Sequence, residues 1–290
     1  MAEAIDILRK IRKIEIKAKG LSKNLFSGDY HSAFKGQGMS FSENRPYAYG
    51  DDTKNIDWNV TARTGEAYVK VFEEERELTV ILLVDISKSS FFGTKNSFKS
   101  DICAEISGVL AFSALSNNDK VGAILFSDVI EKYIPPKKGK SHILRILREI
   151  VYMNATGNGT DLGTALKYLN NVLKKRSIVF VISDFITGHY ENELRLAAGK
   201  HDIIGIHLYD LSEQKLPDNG LVKVYDMENG QQRIIDTSIP ELRTGYEKHF
   251  ADRRNLIKKT FNQVGLDSME VKVTDDFIKI LRTFFKKRIR

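Results

Sequence analysis

Four segments of this chain are apolar on consecutive residues rather than on alternate ones: Thr79–Asp85, Lys120–Phe126, Ser177–Ser183 and Asp202–Tyr209. A strand with one wet face alternates apolar and polar side chains. A strand that is apolar throughout must be covered on both faces, as happens in a parallel sheet sandwiched between helices. The segments between them read as helices, over Ser97–Ser116, Ser141–Val151, Leu162–Lys175 and Tyr190–Lys200. Strand and helix in alternation predict an α/β fold, a doubly wound and mostly parallel sheet with helices on both faces. At 290 residues, with 42% hydrophobic and 29% charged side chains, the chain has ample material for such a core and is not a disordered polymer.

Two stretches flank this pattern. Near the start, Ile5, Leu8, Ile11, Ile14, Ala18, Leu21 and Leu25 recur every three or four residues with Arg and Lys between them. This predicts an amphipathic helix that docks its stripe on the body, with an anionic membrane surface or another protein as alternative partners. From Gly28 to Arg76, glycines punctuate short aromatic-bearing pieces, predicting loops and short strands rather than helices. Beyond Tyr209 the pattern predicts a hairpin turning at Asn229–Gly230, a long helix over Pro240–Val264, a strand near Met269–Val273 and a final amphipathic helix. The division expected is residues 1–76, the basic helix and loop-rich segment, and residues 77–290, the α/β domain with its C-terminal helices.

The ends of the apolar strands carry the chemistry. In doubly wound sheets, ligands sit beyond the carboxyl ends of strands, where strand order reverses. The first core strand ends in Asp85, Ser87 and Ser89, spaced two apart; a later loop offers Thr160 and Asp161; the next strand ends in Ser183 and Asp184. Converging there, Asp85, Ser87, Ser89, Thr160 and Asp184 would present two carboxylates and three hydroxyls to one hard cation. Mg²⁺ suits such oxygens and keeps waters where the protein leaves positions open; Mn²⁺ and Ca²⁺ are the alternatives. Neutral hydroxyls leave part of the charge uncompensated, which favours a carboxylate arriving from a partner. The plainer alternative is that Asp85 and Thr160 cap helices, a role Asp161 can also fill.

D-x-S-x-S, then G-T-x-x-G-x-A-L, then a strand ending in S-D resembles the metal-ion-dependent adhesion site of von Willebrand factor A domains, with Asp85, Ser87, Ser89, Thr160 and Asp184 at the matching positions. The preceding segment is similar to the signature of bacterial domain-of-unknown-function family 58: Gly50, Asp51, Asp52, Ile56, Asp57, Trp58, Ala62 and Arg63, with Phe41, Arg45 and Tyr47. That resemblance implies a soluble, cytoplasmic adaptor or co-chaperone that works with a MoxR-type AAA+ ATPase and grips an Asp or Glu of its protein partner through the ion. Asp51, Asp52 and Asp57 are expected to cap turns and pair with Arg45 and Arg63, with Trp58 anchoring the segment to the sheet. A second cation or partner site is the alternative for the three aspartates.

Other functions are excluded or left with little support. A haloacid-dehalogenase-like phosphatase needs a second aspartate where Ser87 stands, and there is no G-x-x-x-x-G-K-[ST], G-x-S-x-G or H-E-x-x-H. No catalytic residue is therefore assigned; metal-assisted hydrolysis at Asp85 is the residual enzymatic alternative. The net charge of +7, 45 basic against 38 acidic residues, lies in short runs that do not call for nucleic acid. The single cysteine, Cys103, rules out an intramolecular disulfide, and no apolar run is long enough to span a bilayer. An interaction module that uses the N-terminal segment without metal is the rival to the metal-dependent one.

Overall fold

The computed structural model describes residues 2–25, 39–74, 77–91, 98–225 and 231–288. The continuously apolar segments become the strands β3 (Thr79–Asp85), β4 (Lys120–Phe126), β6 (Ile178–Ser183) and β7 (Asp202–Tyr209). With β5 (Ile130–Lys137) and β10 (Asp267–Lys272) they form one six-stranded sheet of order β10-β7-β6-β3-β4-β5. All neighbours run parallel except β5, which is antiparallel to β4. Successive residues of one strand feed opposite layers, which is why these strands had to be apolar throughout. In β3, Val80, Leu82 and Val84 join one core, while Ile81 and Leu83 join the other.

The first layer holds α1 (Ala2–Leu25), α3 (Lys99–Ser116), α4 (Lys140–Tyr152) and α9 (Phe277–Arg288). The second holds α5 (Leu162–Val172), α6 (Glu191–Ala198) and α8 (Pro240–Gln263). As the stripe predicts, α1 buries Ile11, Ile14 and Ala18 against this body; the side chains of Ile5, Leu8, Leu21 and Leu25 lie outside the described residues. The fit against α3 is close, since a Cβ at Gly108 would stand 2.6 Å from Ile14 Cγ2. Lys17 pairs with Glu105 on α3 at 2.5 Å, and Glu15 with Lys140 on α4 at 2.7 Å. Among the described residues no helix is long and apolar enough to cross a membrane.

Two elements depart from the sequence pattern. β5 carries Pro135 and Pro136, which argue against a strand, yet it sits at the sheet's edge where a missing N–H costs nothing, bulging opposite Gly122. The segment expected to contain only loops and strands contains a short helix, α2 (Trp58–Thr64), between β1 (Met39–Pro46) and β2 (Tyr68–Glu74). It closes on Gly65, whose φ of 77° suits a left-handed cap. β1 and β2 pair as an antiparallel hairpin of their own, with β2 also bridging Ile56 through Val69. The expected late hairpin is present as β8 (Leu221–Tyr225) and β9 (Gln232–Asp236), while its turn at Asn229–Gly230 lies outside the described residues.

Candidate metal-binding site

β3 is the centre of the sheet, with β4 on one side and β6 on the other, so the chain reverses its winding direction there. The crevice this opens at the carboxyl ends of β3 and β6 is where a doubly wound sheet presents ligands. The structure places four of the five expected ligands in direct contact across it. The Ser87 N–H donates to Asp85 Oδ1 at 2.9 Å, and the Ser87 and Ser89 hydroxyls share a hydrogen bond of 2.9 Å. Ser89 in turn bonds the Asp184 carboxylate. Ser183 donates to Asp85 Oδ2 at 2.7 Å, tying β6 to β3, and receives the Phe185 N–H at 2.9 Å.

The fifth residue, Thr160, arrives on the loop before α5. Thr187 donates to its carbonyl at 3.0 Å and accepts the Leu162 N–H at 3.2 Å, fastening this loop to the one that follows Asp184. Lys88 donates to Asn158 at 2.8 Å, fastening it to the Ser87–Ser89 turn. Asp161 is the helix cap, accepting the Thr164 N–H at 2.9 Å and the Thr164 hydroxyl at 2.7 Å. That leaves Thr160 Oγ1 for something else. It is buried and has no hydrogen-bond partner among the described residues.

Behind the loop, Glu131 on β5 accepts the N–H groups of Thr156 and Gly157 at 2.7 and 2.9 Å and the hydroxyls of Thr156 and Ser127, both at 2.7 Å. A Cβ at Gly157 would lie 1.7 Å from Asp128 Oδ1 and 2.3 Å from Ser127 Oγ, so both side chains would have to turn aside to admit one. Neither Glu131 nor Thr187 was identified from sequence. Glu131 lies within a strand whose prolines obscured it.

The electrostatics are asymmetric. Burial, with the Asp184 charge adding to it, raises Asp85 from 3.8 to about 6, against the hydrogen bonds of Ser183 and Ser87. Burial acts on Asp184 in the same sense, but there the Lys99 ammonium prevails and holds the carboxyl below its ordinary value. Lys99, at the first turn of α3 and 2% exposed, places Nζ 2.8 Å from Asp184 Oδ2 and 2.7 Å from Glu213 Oε1, on α7 (Leu211–Gln214). Burial disfavours its charge, yet the two carboxylates outweigh burial and raise its pKa. Glu213 itself is raised, chiefly by burial. Cys103, against the same layer, is pushed up to about 12 by burial and then by the Asp85 charge.

Lys99 and Glu213 were also missed from sequence, although a signal exists: a lysine in the first turn of an apolar helix opposes the helix dipole and calls for an anion nearby. Two carboxylates, Asp184 and Glu213, thus share one ammonium in a buried layer, and Asp85 lines the same crevice. With the unpartnered Thr160 hydroxyl and the two serines, this donor set fits a hard divalent cation. Among the described residues no three His, Cys, Asp or Glu side chains gather as a ready-made metal cage.

The upstream aspartates are occupied otherwise. Arg45 grips Asp51 with both nitrogens at 2.7 Å, Asp52 accepts the Lys54 N–H at 3.0 Å, and Asp57 caps α2 through Asn59 and Val60 at 3.0 and 3.3 Å. The expected capping and the Arg45 pairing are present. Arg63 instead reaches the Asn59 carbonyl, and Trp58 does not anchor the segment: it is 69% exposed, with Tyr49 fully exposed nearby in sequence. As the first residue of α2, Trp58 points outward while Asp57 is turned in.

A doubly wound α/β domain with an oxygen-lined crevice at its switch point is the class these features define. Residues 43–256 match the family described as "Protein of unknown function DUF58", and the chain belongs to that family. The match runs across the boundary expected at residue 76. An uncharacterized protein of Mycobacterium tuberculosis is 28% identical over 283 residues, 97% of this chain and 89% of that protein. Among solved structures, the conserved hypothetical protein BatB from Bacteroides thetaiotaomicron is similar with 16% identity and a TM-score of 0.44, over 73% of this chain and 98% of that one. An aerotolerance-related membrane protein from Bacteroides fragilis is similar with 14% identity and a TM-score of 0.48, over the same shares. Neither score reaches 0.5, so family membership rests on the sequence match.

Proposed function

We propose that this protein is a metal-dependent protein-binding module. In it Asp85, Ser87, Ser89, Thr160 and Asp184 hold Mg²⁺ for an Asp or Glu of a protein partner. The buried Thr160 hydroxyl, without a partner among the described residues, carries the reading, because a buried hydroxyl left unpaired is costly unless a ligand satisfies it. The bound ion would supply a Lewis-acidic position for the incoming carboxylate. The chain's own residues do the rest: the Ser183–Asp85 bond and the Thr187 fastening hold three loops in register, and Glu131 fixes the loop that delivers Thr160. The partner class this reading favours, by family resemblance, is a MoxR-type AAA+ ATPase, with the protein as its adaptor or co-chaperone. The role is binding, not catalysis, and Mn²⁺-supplemented protein should leave generic phosphoesters uncleaved.

The test is titration of Mg²⁺ or Mn²⁺ into the wild type and into the Ser87→Ala, Ser89→Ala double variant, with co-purification of the ATPase in Mg²⁺ and in EDTA. Saturable binding lost in the variant, and partner capture lost in EDTA, are expected. Equal responses in both proteins would remove the metal from the mechanism. A second reading is favoured by the exposed Trp58 and Tyr49: partner binding through the N-terminal segment without metal. Capture that survives EDTA but fails in Trp58→Ala would support it.

A further inference from the structure

The strongest feature outside the five expected ligands is the ammonium buried beside them. Lys99 Nζ reaches Asp184 Oδ2 at 2.8 Å and Glu213 Oε1 at 2.7 Å, with both ends of the contact dry: the Lys99 side chain is 3% exposed and that of Asp184 is 2%. Asp184 is further bonded by the Ile186 N–H at 3.0 Å and by Ser89. Much of its acceptor capacity is therefore already taken, and its charge is matched by the lysine. The donors to Asp85 include the neutral Ser87 and Ser183, whereas the ammonium of Lys99 sits on Asp184 and Glu213. The two carboxylates are not equivalent.

From this geometry we propose that Lys99 is a built-in competitor for the metal. It neutralises Asp184 and leaves Asp85 as the principal anionic ligand of the ion, so that the bound ion keeps a net positive charge toward the partner's acid group. Lys99 thereby weakens the protein's own hold on the ion and sets the site's preference for an acidic partner. Glu213 moderates this by sharing the ammonium. The inference rests on the metal-site reading above and adds to it a residue outside the ligand set.

The chemistry separates two changes that both remove the Lys99–Glu213 pair but differ in what they leave on Asp184. Lys99→Met keeps the length and apolar stem of the side chain, frees Asp184 for the ion and removes a positive charge beside it. Mn²⁺ should bind more tightly, on the order of tenfold or more, the scale of removing one like charge at close range in a shielded interior. Glu213→Gln leaves Lys99 to Asp184 alone, and Mn²⁺ should bind no more tightly than in the wild type. Simple disruption of the loop layer would weaken binding in both.

The experiment measures free Mn²⁺ by electron paramagnetic resonance against full-length protein, with Mg²⁺ competition, for the wild type, both variants and Asp85→Ala. Tighter binding in Lys99→Met with equal or weaker binding in Glu213→Gln supports the proposal. Equal or weaker binding in Lys99→Met, where the wild type binds, overturns it and leaves the metal-site reading standing. Tighter binding in Glu213→Gln also overturns it, and that arm decides the matter if Lys99→Met does not fold. Silence in the wild type and every variant, or binding that persists in Asp85→Ala, overturns the metal-site reading and this proposal with it.

Discussion

Asp85→Asn should make the metal-free protein more stable, an unusual outcome for a buried residue hydrogen-bonded at the centre of a sheet. The folded protein raises this carboxyl from 3.8 to about 6, so ionised Asp85 is worse off folded than unfolded. Two units or so, at about 1.4 kcal/mol each, amount to about 3 kcal/mol of penalty near pH 7.5. The sign follows from linkage. Below pH 4 both states are protonated and the penalty is absent. Between pH 4 and 6 the unfolded chain ionises while the folded one keeps its proton, and above pH 6 the penalty is complete. An asparagine keeps the shape and an acceptor for the Ser87 N–H, so the substitution should recover up to about 3 kcal/mol in EDTA at pH 7.5. In a chain of this size that is roughly 5 to 10 °C in melting temperature. The assay is thermal unfolding in EDTA across pH 4 to 8, repeated with Mg²⁺. The gain should vanish near pH 4, and Mg²⁺ should stabilise the wild type but not the variant. A variant that melts below the wild type in EDTA at pH 7.5 would refute the reading that burial makes the ionised Asp85 carboxylate costly.

Three further outcomes are expected. Glu131→Ala strips three hydrogen bonds from the loop that delivers Thr160 and a fourth from Ser127 beside it, and should cost on the order of 2 kcal/mol in unfolding while weakening Mn²⁺ binding, both measurable on one sample. Gly205→Ala places a Cβ 2.6 to 2.7 Å from the ring of Phe261, which is fully buried, and should destabilise by roughly 1–3 kcal/mol in urea unfolding without altering metal affinity. Trp58→Ala removes a side chain that is 69% exposed and should change stability by less than about 0.5 kcal/mol; a larger loss would mean that Trp58 is packed after all.

The sheet was legible in the sequence because its strands are buried on both faces, and such burial leaves an unbroken apolar signature. Thr79–Asp85, Lys120–Phe126 and Asp202–Tyr209 coincide with β3, β4 and β7. The loop oxygens were legible for a related reason: in a parallel sheet the ligand-bearing ends of strands are fixed by topology. What remained hidden was non-local or locally contradictory. Lys99 meets Asp184 85 positions away, a pairing no local pattern encodes. β5 hides behind two prolines that only an edge position tolerates. Trp58 is not the anchor its apolar bulk suggests, because capping at Asp57 fixes the direction of α2 and turns the indole outward.

The bulge of Pro135 and Pro136 over Gly122 has a bearing on assembly. A flat outer strand would offer a neighbouring molecule a ladder of amides to extend, whereas here that rim is buckled and short of donors. Fibre-like growth by strand addition is discouraged along this side, which leaves the β5 margin to side-chain work such as Glu131's grip on the Thr160 loop.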